Sequence, residues 1–229
     1  DDAALLRRII KETCSRHGYE ATFMAKPFLE ETGNGMHLHI SVYDDEEKNI
    51  FATTSRYGND YLKSAIAGLQ STFYDSFPIF IPNRNGYRRI KAGNFVPVNT
   101  SWSWNRRDVS LRIPAGSNKA KRIEHRAASA DANPYLVLAC ILAGLHNGLT
   151  NKLSPTNFVN FDNTKGADSI VDDEMPTNLE SSLNKFKDSN LLSKYFGKEY
   201  LELYNSTKLG EIEHMSSSFI SKEEYDFYL

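Results

Sequence analysis

The sequence predicts an α+β domain, an antiparallel sheet with helices packed outside it. Two stretches alternate polar and apolar residues at period two, and a later stretch of helical length is apolar nearly all round. Alternation places successive side chains on opposite faces of a strand, so one face can bury while the other meets solvent or ligand. At 229 residues and 40% hydrophobic content, the chain is long enough for one sizeable core.

Residues 3–17 carry Leu5, Leu6, Ile9, Ile10 and Cys14 at helical spacing, with Asp1 or Asp2 as cap and Gly18 as stop, and predict a first helix. Residues 20–26 read as a strand ended by Pro27. In GNGMHLHISVYD, residues 33–44, Met36, Leu38, Ile40 and Val42 alternate with His37, His39, Ser41 and Tyr43. One face of that strand is aliphatic and the other shows two histidines and a serine. DDEEKN is a solvated turn, residues 57–77 a helix closed by Pro78, and residues 79–98 loop-like. Trp102 and Trp104 read as core. Asn133 caps and Pro134 opens the apolar helix, which is expected to be central and buried. Residues 149–177 form a polar surface loop, longer than most connections and so of a length to be mobile. Helices follow at 178–188, 191–196, 198–215 and 221–229, the last opening on the capping box Ser221-x-x-Glu224.

The stretch 107–126, RDVSLRIPAGSNKAKRIEHR, reads as two strands around a turn-rich loop. Asp108, Ser110 and Arg112 alternate with Val109, Leu111 and Ile113; Arg122, Glu124 and Arg126 alternate with Ile123 and His125. Eight of the chain's 12 arginines lie between Arg84 and Arg126, where 11 Lys plus Arg face only Asp108 and Glu124. Guanidinium forks suit phosphates and carboxylates, and a carboxylate among them is either their salt-bridge partner or a metal ligand. A solvated, salt-bridged sheet face would have the same composition. His37 and His39 suit a metal or a phosphate; His17, His125, His146 and His214 read as structural.

The net charge is −2, and from Asp162 onward 14 acids outnumber seven lysines, a solvated exterior with no nucleic-acid role. No apolar run approaches the roughly 20 residues that span a membrane, and no signal peptide opens the chain. Cys14 and Cys140, far apart and without metal spacing, fit a reducing cytoplasm. The chain opens on Asp1-Asp2 with no initiator Met, which fits a piece of a longer protein.

Four motifs in order, KPF…GNGMHLHIS, NRRDVSLRIP, KAKRIEHR and DANPYL, resemble the catalytic C-terminal domain of the glutamine synthetase superfamily. The resemblance is strong to about residue 149 and looser beyond. ATFMAKP, YRR, ADANPYL, KEYLELY and EEYDFYL resemble the γ-glutamylputrescine and γ-glutamylpolyamine synthetases within it. The resemblance implies a glutamine synthetase/guanido kinase-like fold with a curved antiparallel sheet. It also implies an ATP-dependent ligase that phosphorylates glutamate's γ-carboxylate and lets an amine or ammonia displace the phosphate.

By the same resemblance His37 and Glu124 would bind Mg²⁺ or Mn²⁺, and His39, Ser41 and Lys119 would line the ATP site. Arg107, Arg112 and Arg122 would hold phosphates, Arg89 and Arg126 would hold glutamate's backbone carboxylate, and Gly33 would let the backbone approach the substrate. The family's further metal-ligand glutamates and its β-grasp domain would lie upstream, so this piece alone is expected to be inactive. The full protein is expected to form stacked homo-oligomeric rings. Phe95 stands where ammonia-using members carry a catalytic glutamate, so an organic amine is expected. Rival readings are a plain glutamine synthetase, a non-catalytic structural relative, and a phosphagen kinase, which would need a reactive cysteine. Glu124→Ala is expected to abolish activity and leave the fold intact.

Overall fold

A computed structural model describes residues 1–163 and 165–218. Its sheet, among the described residues, has the order β1-β4-β3-β2, where β1 is Leu38–Ile40, β2 Trp102–Trp104, β3 Leu111–Ile113 and β4 Ile123–His125. β4 runs antiparallel to both neighbours, with Glu124 opposite His39 on one side and Arg112 on the other. Side chains directly opposite each other share a face, so the register alone sets these three polar groups in one row. The two strands expected within 107–126 are therefore present.

The α+β class stands, but the sheet is mixed. β2 runs parallel to β3, with Trp102 opposite Leu111. Parallel neighbours ordinarily need a crossover of about a dozen residues or more. Here the strands are three residues each, and a turn through 105–110 brings the chain back, with Asn105 at φ 54° and its N–H donating to Ile113 O at 2.9 Å. Alternation reports faces, not strand direction, so it could not reveal this.

The helices are α1 Asp2–Arg16, α2 Asp60–Ser71, α3 Phe77–Phe80, α4 Arg84–Tyr87, α5 Pro134–Thr150, α6 Leu179–Lys187, α7 Asn190–Phe196 and α8 Lys198–Ser218. Asn59 caps α2 by accepting from Leu62 N–H at 3.0 Å, and Asn133 caps α5 in the same way. Leu62, Ile66 and Leu69 of α2 join Val137 and Ile141 of α5 in one core with Leu111, Ile113 and Ile123. His125 lies in that core, fully buried between the rings of Phe73 and Phe80. Burial pushes its pKa down to about 3, so it is neutral filler.

α2 and α5 cross at glycines. A Cβ on Gly68 would stand 2.0 Å from Gly144 O, and one on Gly148 would stand 2.1 Å from Ser64 O. We expect Gly68→Ala in the full-length protein to cost about 3 kcal/mol or more, since a methyl cannot enter without parting the helices. Chemical denaturation measures this, and a loss below about 1 kcal/mol would show that the crossing has slack.

Several expectations need correction. Residues 20–26 form no strand, because they find no ladder partner. Lys26 instead exchanges backbone hydrogen bonds with the Asn85 side chain at 2.7 and 2.8 Å. The helix expected over 57–77 is shorter, and Pro78 opens the next helical turn rather than closing this one. Within the stretch read as loop, 79–98, α4 forms a turn. The apolar residues of α1 are present but none is buried, and α5 keeps an exposed stripe of Tyr135, Leu138 and Leu142. The 149–177 loop is fastened: Val159 N–H donates to Trp102 O at 3.0 Å, and Arg106 donates to the carbonyls of Asn160, Phe161, Asn163 and Lys165. The helix and capping box expected at 221–229 lie outside the described residues.

Candidate active site

Glu124 is the hub of the polar face. Its side chain is 3% exposed, because β4 lies between β1 and β3, and His37 beside β1 and Arg112 on β3 turn towards it. Arg112 Nη1 donates to Oε2 and Arg126 Nη1 to Oε1, each at 2.6 Å, and His37 Nδ1 lies 3.1 Å from Oε1. Burial opposes ionisation of this carboxyl. The hydrogen bonds from His37 and Arg112, with the charges of Arg126 and Arg112, outweigh it and hold the group well below the usual carboxylate range. Glu124 is therefore an anion at neutral pH, fixed from three sides.

Arg122, one row outward on β4's side, reaches back and donates from Nε to His39 Nδ1 at 2.9 Å. Partial burial, against the pull of Glu124 and with the charges of Arg122, Arg112 and His37, lowers the His39 pKa. Ser41 Oγ donates to Lys121 O at 3.3 Å, beside the short 3-10 turn Asn118–Ala120 that exposes Lys119. Arg107 is exposed, with no ion-pair partner among the described residues, and its charge acts on Arg126. His37, His39, Ser41, Arg112, Arg122, Glu124 and Arg126 thus lie along one connected face.

Two members of the basic stretch do not join it. Asp108 pairs with Arg106, Nε to Oδ1 at 2.9 Å and Nη2 to Oδ2 at 2.5 Å. Ser110 is buried and donates to Asn99 O. Both precede β3, so the strand alternation does not govern them.

A cavity of about 600 Å³ opens beside Glu124, lined in part by Gly33, Gly35, His37, Arg89, Glu31 and Phe95. Arg89 is 6% exposed; it donates to Ala127 O at 3.2 Å and Arg126 O at 3.3 Å, and burial lowers its pKa to about 10. Gly33 is required by this arginine: a Cβ there would stand 2.8 Å from both Arg89 Cγ and Ala25 O. Phe95 presents its ring to solvent and cavity, 64% exposed, from a left-handed backbone at φ 55°. Its carbonyl accepts from Arg126 Nη2 at 3.3 Å.

The chemistry follows from the charges. Arg112 and Arg126 hold one buried carboxylate, and Arg107, Arg122 and Lys119 add further positive charge from the same basic stretch, a composition suited to a polyanion. His37 and Glu124 present donors side by side, and a hard divalent cation takes about six, mostly oxygens. Among the described residues no group of three or more His, Cys, Asp or Glu is gathered as a metal site. The pair fits part of a Mg²⁺ or Mn²⁺ shell, and the rest of the shell is not in this set. Asn105 escaped the sequence reading. Its Oδ1 accepts from Arg112 Nη2 at 2.7 Å and so aims that arginine at Glu124. The available signal was an Asn between Trp104 and two arginines, a residue that tolerates the left-handed turn it adopts.

The family model for the glutamine synthetase catalytic domain matches residues 1–228. The γ-glutamylputrescine synthetase PuuA of Escherichia coli K12 is 36% identical over 214 residues, 93% of this chain and 44% of that protein. A glutamate–isopropylamine ligase of Pseudomonas sp is 33% identical over 232 residues, 100% of this chain and 50% of that one. A glutamine synthetase of Methanocaldococcus jannaschii is 33% identical over 217 residues, covering 92% and 48%. A solved structure described as apo GmaS without ligand superposes with a TM-score of 0.80 at 25% identity, over 96% of this chain and 51% of that one. The chain spans about half the length of these relatives.

Proposed function

The chain belongs to the glutamine synthetase family, and from that membership we propose that the protein containing it is an ATP-dependent ligase joining glutamate's γ-carboxylate to an organic amine. One observation carries the reading: His37 just before β1, Arg112 on β3 and Arg126 just after β4 converge on the buried carboxylate of Glu124. Beside that cluster lies a cavity walled by Arg89 and Phe95.

In the first step a γ-carboxylate oxygen attacks the terminal phosphorus of ATP, giving γ-glutamyl phosphate and ADP. Negative charge spreads over the transferring phosphoryl group, and positioning with charge neutralisation supplies most of the catalysis. Arg107, exposed, and Arg122, half-exposed, would turn N–H groups to phosphate oxygens, with Lys119 and His39 towards the nucleotide. Arg112, held by Asn105 and Glu124, keeps a fixed direction as charge develops. His37 and Glu124, together with donors outside the described set, would hold Mg²⁺ or Mn²⁺, which would supply charge neutralisation for the transferring phosphoryl group. Arg89 and Arg126 would hold glutamate's backbone carboxylate. In the second step the amine nitrogen attacks the acyl carbon, loses a proton, and phosphate leaves with its electron pair.

The amine is assigned from Phe95, with support from the similarity to ligases of putrescine and isopropylamine. An aromatic face attracts a substituted ammonium by roughly 0.5–2 kcal/mol and packs on its carbon chain, but it takes no proton. Synthesis of glutamine from ammonia is the rival reading, favoured by the carboxylates of Glu30 and Glu31 on the same cavity. The test is product formation by full-length protein with ATP, glutamate and, in turn, ammonium, putrescine, a longer polyamine and isopropylamine. We expect kcat/KM for one of the organic amines to exceed that for ammonium at least tenfold. A strong preference for ammonium would make this a glutamine synthetase, and no product with any amine would make it a structural relative.

A further inference from the structure

We propose that Asp168, in the long loop after α5, is a positioning residue that holds Phe95 as the amine-side wall of the site. The proposal rests on the role given to Phe95 above.

Phe95 needs holding. A bulky residue at φ 55°, two positions after Gly93 at φ 77°, occupies a backbone region that persists only where the surroundings over-determine it. Its side chain cannot supply the constraint, because the ring is exposed. The constraint comes from the backbone, which is gripped on both sides. Asp168 Oδ2 accepts the Phe95 N–H at 2.8 Å, and the Asp168 carbonyl accepts the Gly93 N–H at 3.1 Å. Arg126 holds the Phe95 carbonyl and, through its other nitrogen, Glu124. The orientation of Phe95 is thus referred to the same carboxylate that organises the arginines.

Asp168 can act this way because it is itself fixed. It is 4% exposed, although it lies in an acidic loop on the surface. It sits in a single 3-10 turn, Ala167–Ser169, whose Ala167 N–H donates to Asp108 Oδ2 at 2.8 Å. Asn99 Nδ2 donates to Ala167 O at 2.7 Å and to Ile170 O at 2.9 Å. Asp108 in turn is locked by Arg106, which also holds the carbonyls of Asn160, Phe161, Asn163 and Lys165. A buried carboxylate paired with one turn's N–H and braced from behind is costly to misplace, and an acceptor lost here leaves the Phe95 N–H unpaired.

The experiment compares full-length wild type with Asp168→Ala, measuring KM for ATP, glutamate and whichever amine wild type uses best. We expect the amine KM to rise roughly tenfold, with the ATP and glutamate KM values within about twofold. In a Phe95→Ala background, Asp168→Ala should add nothing further, because it acts through that ring. An unchanged amine KM in folded Asp168→Ala overturns the proposal. So does an equal rise in all three KM values, or an effect of undiminished size in the Phe95→Ala background. Should Asp168→Ala not fold, Asn99→Ala loosens the same turn and should raise the amine KM alone, roughly threefold; no change there overturns the proposal too. If wild type uses ammonium best, the reading of Phe95 falls on its own, while the effect of Asp168 is still read on the ammonium KM.

Discussion

Glu124→Gln in the full-length protein lowers kcat at least about a hundredfold while the protein stays folded. Loss of a residue that merely orients a metal ligand already costs about 10–100-fold, and Glu124 is proposed as a ligand itself. Gln keeps the volume and an acceptor oxygen for Arg112, but not the negative charge shared by Arg112, Arg126 and His37. Glu124→Ala, read from sequence as a clean knock-out, is a poorer test now that the side chain is known to be 3% exposed. It leaves two guanidinium groups facing each other without an anion, a change expected to cost about 3–5 kcal/mol. Steady-state kinetics at saturating Mg²⁺, with a melting curve on the same sample, separates the two effects. Near-normal turnover of folded Glu124→Gln would remove Glu124 from the metal site.

Phe95→Glu raises the ratio of kcat/KM for ammonium to that for the preferred organic amine by roughly a hundredfold, the low end of what a positioned proton acceptor contributes. Two changes act together. The ring face that attracts a substituted ammonium is lost, and a carboxylate that can attract NH₄⁺ and take its proton appears. The site tolerates the exchange because the Phe95 side chain is exposed and lines an open cavity, so no core contact is removed. The backbone grip by Asp168 and Arg126 does not depend on the side chain. Competition between ammonium and putrescine, with both products quantified, gives the ratio directly. An unchanged ratio would mean that Phe95 does not face the attacking amine.

Much of the site was legible because it lies on strands. Period-two alternation placed Glu124, Arg122 and Arg126 on one face and Ile123 and His125 on the other, and it did the same for His37 and His39. The density of arginine before residue 126 marked the region. What stayed hidden depends on contacts distant in sequence. Nothing in an acidic loop distinguishes Asp168, which is buried, from Asp162 or Asp173, which are exposed; the difference is a hydrogen bond to a residue 73 positions away. The parallel pairing of β2 was hidden because alternation is the same in either direction. Residues 20–26 looked like a strand because local pattern cannot supply a partner. The uncovered faces of α1 and α5 follow from the same limit: an apolar stripe states that something should cover it, not what.

The sheet's two margins are unequal. On the outer side of β2, residues 157–159 take up the Trp102 backbone groups on both sides, N–H to Asn157 O at 3.2 Å and O from Val159 N–H at 3.0 Å. Further strand addition there is blocked by the chain's own loop, which is how a stable sheet avoids sticking to its neighbours. β1 is the opposite edge strand and, among the described residues, pairs only with β4. Any segment that extends the sheet, from elsewhere in the protein or from another copy, has that edge to join. It would arrive beside Leu38 and His39, one residue from His37 and next to the pair proposed to hold the metal ion.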